Sequence, residues 1–275
     1  MPNDFRGACL ELLRRDLTRY GMRETAPADW PWRRKLLLRA MNTINAVAVG
    51  VNPFGQKKRE LGLDWPAEAL TMVGWRRLES LQQCVETALA EDVPGDLVEC
   101  GVWRGGASIL MKAVLASHDD TDRAVWLADS FQGLPKPDVQ NYGMDRRLRL
   151  DRYKSILGVP QEQVAANFQR YGLLDERVKF LPGWFKDTLA DAPIENIAVL
   201  RLDGDLYEST IQALTALYPR LSSGGFCIID DYAIPVCRQA VSDYRNENGI
   251  TTALVDIDGS AVFWRKQCAA EPLSS

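Results

Sequence analysis

An α/β fold built on an open, mostly parallel sheet is what this 275-residue sequence predicts, and three observations predict it. Short apolar runs alternate with helix-like stretches from about Leu97 onward, the rhythm of a βαβ chain. The first of these runs leads through a glycine-rich turn into a helical segment. Several runs end in aspartate, which topology places at the sheet edge where open α/β folds gather ligands.

Composition narrows the function classes. Hydrophobic residues make up 46% and charged residues 25% of the chain, an ordinary globular balance. The net charge of -4 offers no basic footprint for nucleic acid. No apolar run approaches the length of a membrane span. The start, Met1-Pro2-Asn3-Asp4-Phe5-Arg6, has neither the basic nor the apolar region of a signal peptide. Six scattered cysteines (Cys9, Cys84, Cys100, Cys227, Cys237, Cys268) form no C-x-x-C pair and read as reduced thiols of a cytoplasmic protein. The single histidine, His118, reads as an exposed residue of a helix-ending loop, with a proton shuttle as the alternative. With one histidine, a metal site must be built mostly from oxygen ligands, which selects hard cations such as magnesium.

Residues 1–92 are predicted helical. Leu10, Leu12, Leu13 and Leu17 stripe the segment from Phe5 to Tyr20, and a second helical run extends from Trp32 to Val51. Asn52-Pro53-Phe54-Gly55 breaks it. A further helix follows Met72-Val73-Gly74 and runs through Leu89. These segments precede the first strand, so they form a cap with a structural or oligomeric role. Met72 and Arg76 lie close enough to that strand to reach a ligand.

Residues 93–267 carry the sheet. Pro94-Gly95-Asp96 opens the first strand, Leu97 to Cys100, and Gly101, Gly105 and Gly106 form the turn before a helix from Ser108 to Leu115. Such glycines let backbone approach a ligand closely, and the helix start presents free N–H groups. The spacing is Glu99-x-Gly101-x-x-x-Gly105-Gly106, not the G-x-G-x-x-G of a dinucleotide site. Glu99 suits an ammonium and would repel a pyrophosphate. S-adenosylmethionine, with its ammonium, carboxylate and sulfonium, therefore fits better; an ordinary tight turn is the alternative.

Val125 to Asp129 forms a second strand whose terminal acid can accept both ribose hydroxyls of a nucleoside, or else cap the next segment. Residues 136–172 are too long for a plain crossover and read as a lid. Val178 to Leu181 is a third strand ending at Pro182-Gly183-Trp184-Phe185, where an aromatic covers an adenine or joins the core. Ile197 to Leu202 ends in Asp203-Gly204-Asp205 and is followed by a helix from Ser209 to Leu221. Phe226 to Ile229 ends in Asp230-Asp231, with a helix from Val236 to Glu247 behind it. Thr252 to Val255 and Ala261 to Trp264 close a seven-stranded sheet as a hairpin across Asp258-Gly259. Asp203, Asp205, Asp230 and Asp231 would crowd into a small volume, which demands a cation or protons. The alternative is that one pair caps helices.

The runs Val93 to Glu99 with Gly101 to Gly106, Asp129-Ser130-Phe131-Gln132-Gly133-Leu134-Pro135, Pro182 to Leu189, Leu202 to Thr210 and Asp230-Asp231-Tyr232 together resemble the macrocin O-methyltransferase family, bacterial enzymes that methylate hydroxyls of macrolide and aminocoumarin antibiotics. The resemblance covers roughly residues 65–267. It implies a Rossmann-like class I S-adenosylmethionine-dependent methyltransferase fold with a seven-stranded, mostly parallel sheet, an N-terminal helical cap (1–92), a methyltransferase domain (93–267), a lid insertion (about 136–172) and a short tail (268–275). It implies magnesium dependence, a homodimer or higher homo-oligomer, and transfer to a hydroxyl, on a deoxysugar of a glycosylated metabolite or on a macrocycle or catechol-like ring. Metal ligands fall on Asp203, Asp230 and Asp231, and a general base on Asp205. The expected cofactor residues are Met72, Glu99, Gly101, Val102, Trp103, Gly105, Ser108, Asp129, Ser130, Phe131, Gly183 and Trp184. Cys100 departs from the family pattern, where a threonine or similar small residue is expected. The rival readings are a nicotinamide-dependent oxidoreductase and a non-catalytic cofactor-binding module. The intact acid cluster opposes the module, and Glu99 with the glycine spacing opposes the oxidoreductase.

Overall fold

The computed structural model describes residues 2–22, 30–48, 52 and 56–267. The expected break at residues 53–55 and the tail 268–275 lie outside the described residues. Four helices come first: α1 (Pro2–Thr18), α2 (Trp32–Ala48), the short α3 (Lys57–Glu60) and α4 (Trp75–Ala90). The alternating part follows as β1 (Asp96–Cys100), α5 (Gly106–Ser117), β2 (Val125–Asp129), α6 (Lys154–Leu157), α7 (Gln161–Arg170), β3 (Val178–Pro182), α8 (Phe185–Thr188), β4 (Ile197–Leu202), α9 (Tyr207–Leu217), β5 (Leu221–Ile229), α10 (Pro235–Glu247), β6 (Val255–Asp256) and β7 (Val262–Arg265).

The seven strands form one sheet in the order β3-β2-β1-β4-β5-β7-β6. β1 to β5 pair in parallel, and β7 runs antiparallel between β5 and β6. Burial on both faces explains why the central strands read as apolar runs instead of alternating. Every residue of β4 is buried. Along β1, Leu97 packs with α4 and α5 residues such as Leu81 and Ile109, while Val98 and Cys100 pack with Leu214 of α9 and Val241 of α10. The strand order reverses between β1 and β4, so a crevice opens at their C-terminal ends, which is where ligands bind in such sheets.

Three local differences from the sequence reading have physical causes. The helix expected to reach Leu221 ends at Leu217 and gives way to a 3-10 turn at Tyr218–Arg220, because Pro219 cannot continue an α-helical ladder. The strand expected over 252–255 pairs only at Val255 and Asp256; the Thr252 carbonyl accepts from Arg245 instead of a ladder partner. Within the expected lid, α7 buries Val164 and Phe168 fully in the core as the crossover helix. The part of 136–172 that borders the crevice lies before it.

Candidate active site

The glycine turn is shaped by the strand beside it. Gly101 has φ 87°, and a Cβ there would lie 1.8 Å from the Asp203 carbonyl oxygen. That approach is fixed by the Asp203 N–H donating to the Cys100 carbonyl at 2.8 Å. Only glycine fits, and the result is that the ends of β1 and β4 touch. Gly105, at φ 88°, starts α5 in the left-handed region. Between them Trp103 takes φ 48°, and its indole Nε1 donates to the Ile156 carbonyl at 2.9 Å, tying the turn to α6.

Asp129 closes the other side. Its carboxylate accepts from the N–H groups of Val102 (2.7 Å), Phe131 (2.8 Å) and Trp103 (3.4 Å). Burial raises its pKa, and those three N–H groups oppose the rise. Fixed backbone donors thus hold an acid in place beside the crevice.

Glu99 is a different case from the one the sequence suggests. It is 2% exposed. Its Oε1 accepts from Arg201 Nη1 at 2.5 Å, and its Oε2 accepts from the Ser108 hydroxyl. Burial pushes its pKa up to about 7 against the pull of Arg201. The side chain lies beneath the turn, on the α5 face of β1, where it joins β4 and α5.

The acids after β4 and β5 converge. Oxygens of Asp203, Asp205 and Asp231 all lie within 4.8 Å of one another. Asp205 sits at φ 58°, and its N–H donates to Asp231 Oδ2 at 2.9 Å. Aspartate tolerates that left-handed backbone better than most residues, and such strain collects at functional sites. Burial, then the charges of Asp203 and Asp230, push the Asp205 carboxyl up to about 7. Burial and the charges of Asp205, Asp203 and Asp230 push Asp231 well above the usual carboxylate range. Asp230 differs. Its Oδ1 accepts from Arg201 Nη2 at 2.7 Å and its Oδ2 from Arg77 Nη1 at 2.7 Å. Burial would raise it, but the two guanidinium groups hold it below its ordinary value. Of the expected ligands Asp203, Asp230 and Asp231, the first and last converge with Asp205, while the Asp230 oxygens accept from Arg201 and Arg77.

One cavity is lined by Met72, Gly101, Trp103, Asp129, Ser130, Gly183, Trp184, Asp203 and Asp205. Of the other expected residues, Val102 and Phe131 present their N–H groups to Asp129, Gly105 starts α5, and Glu99 with Ser108 lies below. Phe185, the second aromatic of the Pro182–Phe185 stretch, lines the cavity too, as do Lys186, Glu208 and Gln212, which were not singled out by sequence. Arg76 points elsewhere, paired with Glu60 at 2.7 Å; its neighbour Arg77 is the residue that reaches the acids. His118 caps the far end of α5 and contacts Arg6. Arg201 was also missed. A charged residue inside the apolar run of β4 was the available signal, since a buried arginine requires partners.

Among solved structures, the O-methyltransferase NovP overlays on this chain with a TM-score of 0.77 and 50% identity, covering 85% of this chain and 99% of that one. With the sheet order and the strand-end cavity, this likeness makes the chain an enzyme of the class I S-adenosylmethionine-dependent O-methyltransferases. Two curated relatives are closer in sequence. The 8-demethyl-8-(2,3-dimethoxy-alpha-L-rhamnosyl)-tetracenomycin-C 4'-O-methyltransferase of Streptomyces olivaceus is 61% identical over 77% of this chain and 81% of its own length. The demethyldecarbamoylnovobiocin O-methyltransferase of Streptomyces niveus is 54% identical over 78% of this chain and 82% of its own length. The model of the Macrocin-O-methyltransferase (TylF) family matches residues 7–266, and the chain belongs to that family. The match takes in most of α1 and all of α2 and α3, which lie outside the span of the sequence resemblance.

Proposed function

We propose that this enzyme methylates a hydroxyl on a deoxysugar of a glycosylated secondary metabolite, with a divalent cation such as magnesium at Asp203, Asp205 and Asp231. The observation that carries the reading is that Asp203 belongs to two arrangements at once. It lines the cavity shared with Gly101 and Asp129, and it is a member of the convergent acid trio. The cation fits the residues present. Three half-buried carboxylates, each raised in pKa by burial and by the charge of neighbouring aspartates, form an oxygen donor set short of positive charge, which suits a hard ion. A sugar as acceptor follows the Streptomyces olivaceus relative, whose name carries a rhamnosyl group.

The cation would lower the pKa of a bound hydroxyl and fix its direction, and S-adenosylmethionine would supply the methyl group on a sulfonium that is already a good leaving group. The chain does the rest. Asp129 accepts the ribose hydroxyls, and Trp184 offers an apolar face beside Gly183. The Asp205 carboxylate takes the proton from the acceptor hydroxyl, directed by its left-handed backbone and by its N–H bond to Asp231. Cavity walls from α8 and α9 align the acceptor, which is the main demand of a displacement whose leaving group is in place.

The test is mass spectrometry of matched glycoside and aglycone acceptors incubated with cofactor and magnesium. Methyl gain on the sugar of the glycoside alone supports the reading; gain on the aglycone moves the acceptor to a macrocycle or aromatic ring. Self-association is part of the proposal, because Trp32, Leu36, Ile44 and Val47 expose apolar side chains at helical spacing along α2. Light scattering of a monomer at micromolar concentration would remove it. The five described cysteines are unpaired, as suits a reducing cytoplasm, and no described helix is long and apolar enough to cross a membrane.

A further inference from the structure

Arg77 enters the site from outside the sheet. It stands in the first turn of α4 and is 8% exposed. Its Nη1 donates to Asp230 Oδ2 at 2.7 Å and its Nε to Asp258 Oδ2 at 2.8 Å. Nη1 also reaches the Asp230 carbonyl at 3.4 Å, and Nη2 donates to the Leu61 carbonyl at 3.3 Å. The other Asp258 oxygen, Oδ1, accepts from the N–H groups of Ser260 and Ala261 at 3.0 Å each, which closes the turn between β6 and β7 around it. Three distant elements therefore meet in one chain of charged hydrogen bonds: the β6–β7 turn, α4, and the end of β5.

On the far side of Asp230, Arg201 donates from Nη2 to Asp230 Oδ1 at 2.7 Å and to Asp203 Oδ2 at 2.9 Å. Both oxygens of Asp230 are thus fixed, and Asp230 immediately precedes Asp231 in the chain. A buried carboxylate beside three others is tolerable only with such partners. A planar guanidinium can grip two acceptors in fixed directions, which an ammonium cannot.

We infer that Arg77, held in place by Asp258, is a positioning residue for the cation site. It is not among the residues that line the cavity. Through Asp230 it sets the orientation of the strand end that presents Asp231, and with Arg201 it fixes the acids against one another. The inference rests on the cation reading of the acid trio. Outer partners of metal-binding groups commonly matter by 10–100-fold in affinity.

The experiment is titration of Mn2+ by electron paramagnetic resonance into the full-length protein saturated with S-adenosylhomocysteine. Wild type, Arg77→Lys and Asp258→Asn are compared, and S-adenosylhomocysteine affinity is measured separately by calorimetry. Both variants should lose roughly 10–100-fold in Mn2+ affinity and keep their S-adenosylhomocysteine affinity. A merely structural Arg77 would lower the melting temperature and leave Mn2+ binding unchanged, and that result in folded protein overturns the inference. If Arg77→Lys fails to fold, Asp258→Asn decides alone, since it keeps the arginine and alters only its anchor. A wild-type protein that binds no Mn2+ removes the cation reading itself, and the inference with it; a difference confined to the variants leaves that reading intact.

Discussion

Asp129, at the end of β2, and Asp205, just past the end of β4, face the same cavity but are held in opposite ways. The Asp129 carboxylate accepts from three backbone N–H groups, so fixed protein dipoles stabilise its charge. Asp205 donates its own N–H to another acid, and the charges that raise its pKa come from Asp203 and Asp230. The cofactor half is electrostatically complete in the protein alone. The acid half holds more carboxylates than Arg77 and Arg201 offset, and either protons or the proposed cation must balance them. One half should therefore work without a cation and the other should not.

The change that breaks both halves together is Gly101→Ala. Its Cβ would overlap the Asp203 carbonyl, so the ends of β1 and β4 must separate. We expect loss of soluble folded protein, or a melting temperature lowered by roughly 2–12 °C from backbone strain of about 1–3 kcal/mol alone, at about 2–4 °C per kcal/mol, with the lost strand contact adding to it. A Gly101→Ala protein with wild-type melting and cofactor affinity would show that the two strand ends can part freely.

Next in size are effects confined to the acid half. Chelation should abolish turnover and magnesium restore it, while calorimetric S-adenosylhomocysteine binding persists. Asp231→Asn should raise the magnesium requirement. Asp205→Asn should do both, raising the magnesium requirement and lowering turnover at saturating magnesium by about 10²–10⁴-fold, the usual contribution of a base. Full activity of metal-free enzyme in excess chelator would make the acid trio a capping arrangement.

The cofactor half gives a smaller, cleaner effect. Asp129→Ala removes charged acceptors worth about 1.5–3 kcal/mol per hydrogen bond, so cofactor affinity should fall about 10-fold or more. Mn2+ affinity should not follow, because Asp129 is not among the convergent acids. Equal loss of both affinities would mean that the two halves are not separable as argued.

The same contrast explains what could be read from sequence. The strands, the glycine turn and the strand-end acids are local patterns, and apolar runs with their punctuation reveal them. Asp203, Asp205 and Asp231 were legible because topology alone brings strand ends together. Arg77 was not. Its partner Asp230 lies 153 residues away, and only the packing of α4 turns Arg77 inward and Arg76 outward. Successive residues on a helix point about 100° apart, so proximity to the strand could not choose between them. Glu99 was assigned to the ligand because its spacing to Gly101 fits. Its burial depends on Arg201, a residue 102 positions later.

Asp145 gives the smallest and most local test. It lies before α6, in the stretch that borders the cavity, and is fully buried. Its carboxylate accepts from the N–H groups of Tyr207 at 2.8 Å and Glu208 at 3.0 Å, the first two of α9. A helix start leaves such donors without internal partners, and a negative charge there also meets the positive end of the helix dipole. Here the cap comes from about sixty residues earlier in the chain, so one contact fastens the stretch over the cavity to the helix that follows Asp205. Asp145→Ala should cost about 0.5–2 kcal/mol, the range for losing a cap, or a few degrees of melting temperature. Hydrogen exchange should quicken in residues 143–158 and in the first turn of α9, while exchange in β1 and β4 stays as it was. Mn2+ and cofactor affinities should change little. Unaltered exchange in 143–158 would show that this stretch is held by other contacts, such as the Trp103 bond to Ile156.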